Sequence, residues 1–320
     1  MSETASEIFE RFARDEFHNT SPLYEQLSRG IAQDPKLLAL AAQCRKDERM
    51  PNLFFAAVHY LLLKGVSHPL GRFYKSLGGS YAAGDDPMTD FRSFCLQHVE
   101  RIRELIAVRL VQTNEVSRCA GLMPVIAAAS KVVQSRPLYL VDIGASAGLN
   151  LFWDHYGYKY GDRHEGGDRK SPVQIECALR GPNTPPVPAS FPPVTGRVGV
   201  DLNPLDVRVE EDALWLRALI WPEDEKREEP CRNALAVVRH PSVGVHRIPA
   251  HADMDLLRAR MIDRVVDHLG DAVAPDVPHV LRQVRHSGRE HLLPDDILAQ
   301  SFPGIAPGRL AQRCQAIHPR

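Results

Sequence analysis

Leu138-Tyr139-Leu140-Val141-Asp142-Ile143-Gly144-Ala145-Ser146-Ala147-Gly148-Leu149-Asn150-Leu151 is the stretch whose reading decides the fold. A short apolar run rich in β-formers, Leu138 to Ile143, carries an acid at Asp142, breaks into small residues from Gly144 to Gly148, and gives way to a helical pattern. The reading is strand, tight turn, helix. Such a turn is expected to leave backbone N–H groups unpaired at a helix N-terminus, under side chains small enough for a ligand to approach the main chain.

Three ligand classes use that geometry. A dinucleotide fingerprint needs Gly-x-Gly-x-x-Gly, and here the three positions are Gly144, Ser146 and Leu149, so two of its glycines are missing. A hydrolase nucleophile elbow, Gly-x-Ser-x-Gly, is matched to the letter by Gly144 to Gly148, with Ser146 as nucleophile. The third class is the nucleoside-binding loop of class I methyltransferases, which this stretch resembles: a strand ending in an acid just before the first glycine, then alternating small residues. Asp142 fits that pattern and has no required role in an elbow. An ordinary strand-to-helix turn, with small residues for packing, is the plain structural alternative.

The 320 residues suffice for one large or two ordinary domains. Apolar and charged fractions of 44% and 25% are those of a soluble globular chain. A net charge of −1 gives no general electrostatic reason to bind nucleic acid or an anionic membrane. The six cysteines lie far apart without a Cys-x-x-Cys pair, so neither a metal site nor a disulfide framework is expected. Met1 to Glu7 lacks the basic start and apolar core of a secretion signal. The most apolar stretch, Leu53 to Leu63, falls well short of the ~20 residues that span a bilayer. A soluble, cytoplasmic protein is the expectation.

Residues 2 to 131 read as helical throughout. Ser21-Pro22 and Asp34-Pro35 each pair an N-cap with proline at the first helical position, opening helices over Leu23 to Ile31 and Lys36 to Cys44. Pro51 starts another helix and Thr89 a long one through Val108, with Gly71 to Asp86 as a loop between them. Leu110 to Glu115 leads into a helix over Val116 to Val132. Its polar residues Thr113 and Asn114 either cap that helix or cover one end of the ligand loop.

Beyond the central motif, Tyr156 to Pro193 is punctuated by Gly, Asp and Pro around a strand-like piece, Val173 to Leu179. It reads as an inserted hairpin and irregular flap, and Tyr156, Tyr158 and Tyr160 either pack or line a substrate pocket. Gly196 to Val207 holds a second acid-tipped strand ending at Asp201, followed by a turn at Asn203-Pro204. In nucleoside-binding sheets the acid ending the second strand accepts hydrogen bonds from ribose hydroxyls. Asp201 comes 59 residues after Asp142, where about 20 is usual, and the flap accounts for the excess. Helices follow over Asp212 to Ile220 and Glu223 to Val238. Val243 to Ile248 is a third strand candidate, and Asp253 beyond it either contacts adenine or caps the helix Leu256 to Leu269.

Several of these stretches together resemble a bacterial family defined only as a domain of unknown function, whose sheet half looks like class I S-adenosylmethionine-dependent methyltransferases. The likeness covers residues 10 to about 270. It rests on Ser21-Pro22-Leu23-Tyr24, Pro51 to Leu63, Val111-Gln112-Thr113-Asn114-Glu115-Val116, Ile143 to Leu151, Asp201-Leu202-Asn203-Pro204 and Trp221-Pro222. The resemblance implies an α/β fold: a helical N-terminal region (1–131), then a Rossmann-like, methyltransferase-type, mostly parallel sheet (132–275) with a flap at 156–195. It implies S-adenosylmethionine as cofactor, held by Asp142, Gly144, Ser146, Gly148, Asp201, Asn203 and Asp253, and a methyl acceptor that is a small molecule or of unknown class. No catalytic base emerges. After Gly270 the family continues with an apolar strand, whereas this chain has Pro278 to Arg289. The expectation is that 276–320 is an atypical tail, from a frame change or truncation, that leaves the sheet incomplete and its first strand an exposed edge.

Two further function classes stay in play. A serine hydrolase needs an acid and a His after Ser146, and His279, His286 and His291 are the candidates. A non-catalytic nucleoside-binding or interaction protein fits the lack of an acid–base constellation.

Overall fold

Proline at the first turn of a helix costs nothing, because its missing N–H has no intrahelical partner there, and the chain uses this repeatedly. In the computed structural model, which describes residues 3–45, 49–82, 84–132, 137–162, 164–180, 184–188, 190–239 and 246–249, α1 (Ala5–Phe12) is closed by a Thr4–Glu7 capping box. Both predicted caps then hold. Ser21 opens α2 (Pro22–Ile31), and Asp34 accepts the N–H groups of Lys36 and Leu37 at the start of α3 (Pro35–Ala41).

The helix α4 (Met50–Leu63) is buried nearly all round and forms the spine of this half. Gly71 to Asp86 is not a plain loop: 3₁₀ turns occupy Pro69–Phe73 and Lys75–Leu77. The long helix expected from Thr89 is two. α5 (Pro87–Gln97), capped by Asp86, and α6 (Val99–Val108) meet at a break where His98 sits at φ −117°, ψ 25°. A 3₁₀ turn (Val116–Arg118) precedes α7 (Cys119–Val132). Between α6 and that turn, residues 110–115 run as a strap without regular structure.

The second half is mixed α/β. β1 (Leu138–Ile143) leads through the small-residue loop into 3₁₀ structure (Leu149–His155) rather than the expected α-helix. β2 (Gly157–Tyr160) pairs antiparallel with β3 (His164–Gly167) and parallel with β4 (Gln174–Cys177), so the predicted flap carries its own three-stranded sheet. β5 (Val194–Asp201) returns to lie parallel beside β1. After α8 (Glu210–Ala218) and α9 (Glu225–Val238), β6 (His246–Pro249) joins the far side of β5 in parallel. The order is β1-β5-β6. Residues 276–320 and Asp253, with the expectations attached to them, lie outside the described residues.

One apolar core runs through both halves, from Phe9 and Phe55 to Trp215 and Leu235. Two polar ties cross with it. The Glu223 carboxylate accepts from the Ser21 hydroxyl (2.7 Å) and the Leu23 N–H (2.9 Å), supplying two donors at the start of α2 with an acceptor. His59, buried in the middle of α4, places Nδ1 3.1 Å from the carbonyl of Ala218 and Nε2 2.7 Å from the Ser76 hydroxyl. A carbonyl only accepts, so Nδ1 carries the proton and Nε2 accepts from Ser76. Burial pushes this imidazole down to about 4.

Candidate functional site

The register Asp142↔Gly199 fixes the centre of the site. Side chains alternate along a strand, so Asp201, two residues past Gly199, projects from the same face as Asp142. Strand geometry puts their Cα atoms on the order of 8 Å apart. The loop between them packs directly on β5: a Cβ at Gly199 would lie 2.9 Å from that of Ala145. Gly144 turns the chain at φ +78° on the exposed side of the loop, and a side chain there would meet nothing within 4 Å.

The loop's backbone donors are engaged, contrary to the expectation of unpaired N–H groups. Gly144 and Ala145 donate to Val200 O, Gly148 to Ala145 O, and Leu149 to the Asn114 side chain at 2.9 Å. The Ser146 N–H donates to Asp201 Oδ2 at 2.7 Å. Asp201 Oδ1 accepts from the N–H of Asn203 (2.8 Å), with Gln112 Nε2 at 3.4 Å. Asp201 therefore ties loop, strand end and following turn together. Asn114 takes the loop-covering role foreseen for this segment, while Glu115, not Thr113 or Asn114, caps the 3₁₀ turn.

Asp142 is half-buried with a raised pKa, first because burial disfavours its charge and then because Asp201 faces it, with Arg118 pulling the other way. A carboxyl whose pKa rises on folding contributes most when protonated, and its contribution is lost as pH rises through the folded value. Asp142→Asn is therefore expected to raise the melting temperature of the ligand-free chain at pH 8, and by less at pH 4. Thermal melts at the two pH values check this, and a variant less stable at pH 8 would contradict it.

Ser146 adopts φ 52°, is 5% exposed, and its hydroxyl is buried without a partner. A nucleophile elbow shares the strained backbone but presents its hydroxyl at the tip. His279, His286 and His291 lie outside the described residues. Gly148, at φ +74°, is buried beneath the loop.

The three tyrosines of the flap pack into the core. All are buried, and their hydroxyls donate to backbone carbonyls: Tyr156 to Leu149 (2.7 Å), Tyr158 to Trp153 and Tyr160 to Ala120 (2.7 Å). Two apolar side chains that sequence reasoning did not assign stand open at the strand tips instead, Ile143 at 61% and Leu202 at 71% exposure. Their signal was position, each directly following an acid. Next to the site, Gln112 to Val116 line a small cavity with Leu216, Ile220 and Cys231. Its volume of about 20 Å³ holds a water, not a nucleoside.

Among the described residues no cluster of His, Cys, Asp or Glu could hold a metal, and no helix is long and apolar enough to cross a membrane. No curated protein and no solved structure matches the chain. Residues 6–281 match the family described as an uncharacterized protein conserved in bacteria (DUF2332), a span slightly wider than the likeness read from the motifs, and the chain belongs to that family.

Proposed function

We propose that the chain binds S-adenosylmethionine on a Rossmann-like, methyltransferase-type sheet, in a nucleoside-binding region over 132–275 that follows the helical region 1–131. The observation that carries this reading is the pair Asp142 and Asp201, on one face of adjacent parallel strands, flanking a small-residue loop at the strands' carboxyl ends. Open parallel sheets bind ligands there. Two carboxylates beside a loop whose N–H groups are spent repel phosphate, so a dinucleotide or nucleoside phosphate is disfavoured. A cation is favoured, since it relieves the repulsion between Asp142 and Asp201 and offsets the burial that raises Asp142.

In this arrangement Asp142 faces the ammonium end of the ligand, Asp201 holds the ribose hydroxyls, Gly144 leaves room for the methionine chain, and Leu202 offers apolar surface to the base. Ser146 and Gly148 shape the loop, Asn203 fixes the turn behind Asp201, and Asp253 is assigned to adenine. The sulfonium brings a labile methyl group, leaving orientation and exclusion of water to the protein.

Isothermal titration of the full chain tests the reading. Heat is expected with S-adenosylmethionine and S-adenosylhomocysteine and none with ADP or NAD. The reverse order of preference, or no heat with either sulfur compound, would sink it.

A further inference from the structure

The strap at residues 110–115 is held at both ends. The buried Trp215 indole donates to Leu110 O at 2.9 Å, and Asn114 accepts from the loop at Leu149. Between these anchors Gln112 reaches across to the turn after β5. Its Nε2 donates to Asn203 O at 2.7 Å, and its Oε1 accepts from Asn203 Nδ2 at 2.6 Å. The second hydrogen on Nε2 is directed at Asp201 Oδ1, 3.4 Å away.

The three donors around Asp201 are unequal. Those from Ser146 and Asn203 are short and come from the backbone, so they hold the carboxylate in place whatever else binds. Gln112 is distant, comes from a side chain, and occupies the oxygen that a ribose hydroxyl needs. The half-buried amide clasp with Asn203 keeps it there.

We propose that the Gln112–Asn203 pair is a latch over Asp201, closed in the ligand-free chain and displaced by the vicinal hydroxyls of the ligand. This rests on the nucleoside reading above. Two good amide hydrogen bonds are exchanged for hydroxyl contacts on binding, so the latch lowers affinity for ligands that present both hydroxyls and leaves ligands without them unaffected.

The test is isothermal titration of the full chain and of Gln112→Ala with S-adenosylhomocysteine, adenosine and 2′,3′-dideoxyadenosine. Gln112→Ala is expected to bind the first two roughly 3- to 30-fold more tightly than the wild type, the worth of one to two net hydrogen bonds, and the dideoxy compound unchanged. Equal or weaker binding of the two hydroxylated ligands overturns the latch, weaker binding making Gln112 a ligand contact. An equal gain for the dideoxy compound overturns it as well, since the effect would then be general loosening. Asn203→Ala removes one bond of the clasp and keeps its backbone N–H on Asp201. It is expected to give a smaller gain in the same direction, and it decides the matter should Gln112→Ala fail to fold. If the wild type binds and neither variant gains, only the latch falls. If no chain binds any of the three compounds, the nucleoside reading falls with it.

Discussion

Asp201→Ala is expected to lower the unfolding free energy by about 2–4 kcal/mol, the scale of two hydrogen bonds to a charged acceptor partly recovered by water. The same substitution is expected to abolish nucleoside binding. The carboxylate is the acceptor for the N–H groups of both Ser146 and Asn203, so its removal frees the loop and the turn after β5 together. Asp201→Asn keeps one acceptor oxygen and removes the charge that opposes Asp142, and about half the loss is expected. Urea denaturation at fixed pH, followed by titration with S-adenosylhomocysteine, reads both effects. A variant that unfolds at the wild-type midpoint and still binds would mean that the carboxylate neither organises the loop nor meets the ligand.

His59 sets the second large effect, in the half of the molecule farthest in sequence from the loop. Its imidazole titrates near 6.5 when unfolded and at about 4 when buried, so the fold favours the neutral ring. Stability is complete above pH 6.5, falls as pH drops through that value, and levels out below about 4. The loss from this residue is expected to reach about 2 kcal/mol by pH 5. His59→Phe leaves Ala218 O and the Ser76 hydroxyl without their partner, and about 1–3 kcal/mol is lost at pH 7.5. The variant also loses the acid sensitivity, so the two chains converge as pH falls. Urea midpoints measured at pH 7.5, 6 and 5 follow that convergence. Parallel slopes would mean that the ring is protonated or hydrated in the folded state.

Local chemistry was legible in the sequence wherever a residue acts on its own neighbours. Ser21 and Asp34 cap the helices they precede, and the apolar runs ending in Asp142 and Asp201 are strands. Their adjacency also followed, because two acid-tipped strands have one simple way to share a site. Tertiary partners were hidden. Leu149–His155 has helical composition, yet Phe152 sits at φ −103°, ψ 21°, with Arg197 stacked over its ring and bonded to Leu151 O, and the segment tightens to 3₁₀. The loop's donors looked vacant because their acceptors come from residues far along the chain: Asn114 precedes the loop by a helix, and Val200 and Asp201 follow it by a whole flap. The tyrosines alternate like pocket residues but spend their hydroxyls on the carbonyls of Leu149 and Trp153, just ahead of them in the chain, and of Ala120 in α7. The break at His98 has no proline or glycine to announce it.

Those phenols make the small flap sheet unequal in what it can tolerate. Tyr156 and the β2 residues Tyr158 and Tyr160 anchor one side of the sheet to Leu149, Trp153 and α7, whereas β3 pairs with β2 and shows alternate residues to water. Substitution is tolerated at exposed Glu165 of that far strand, but Gly166 and Gly167 hang it closely on its bracket: a Cβ would lie 2.5 Å from Val187 Cγ1 at the first and closer still to Tyr156 O at the second. The bracket itself, Tyr156 to Tyr160, has to change as a unit or not at all.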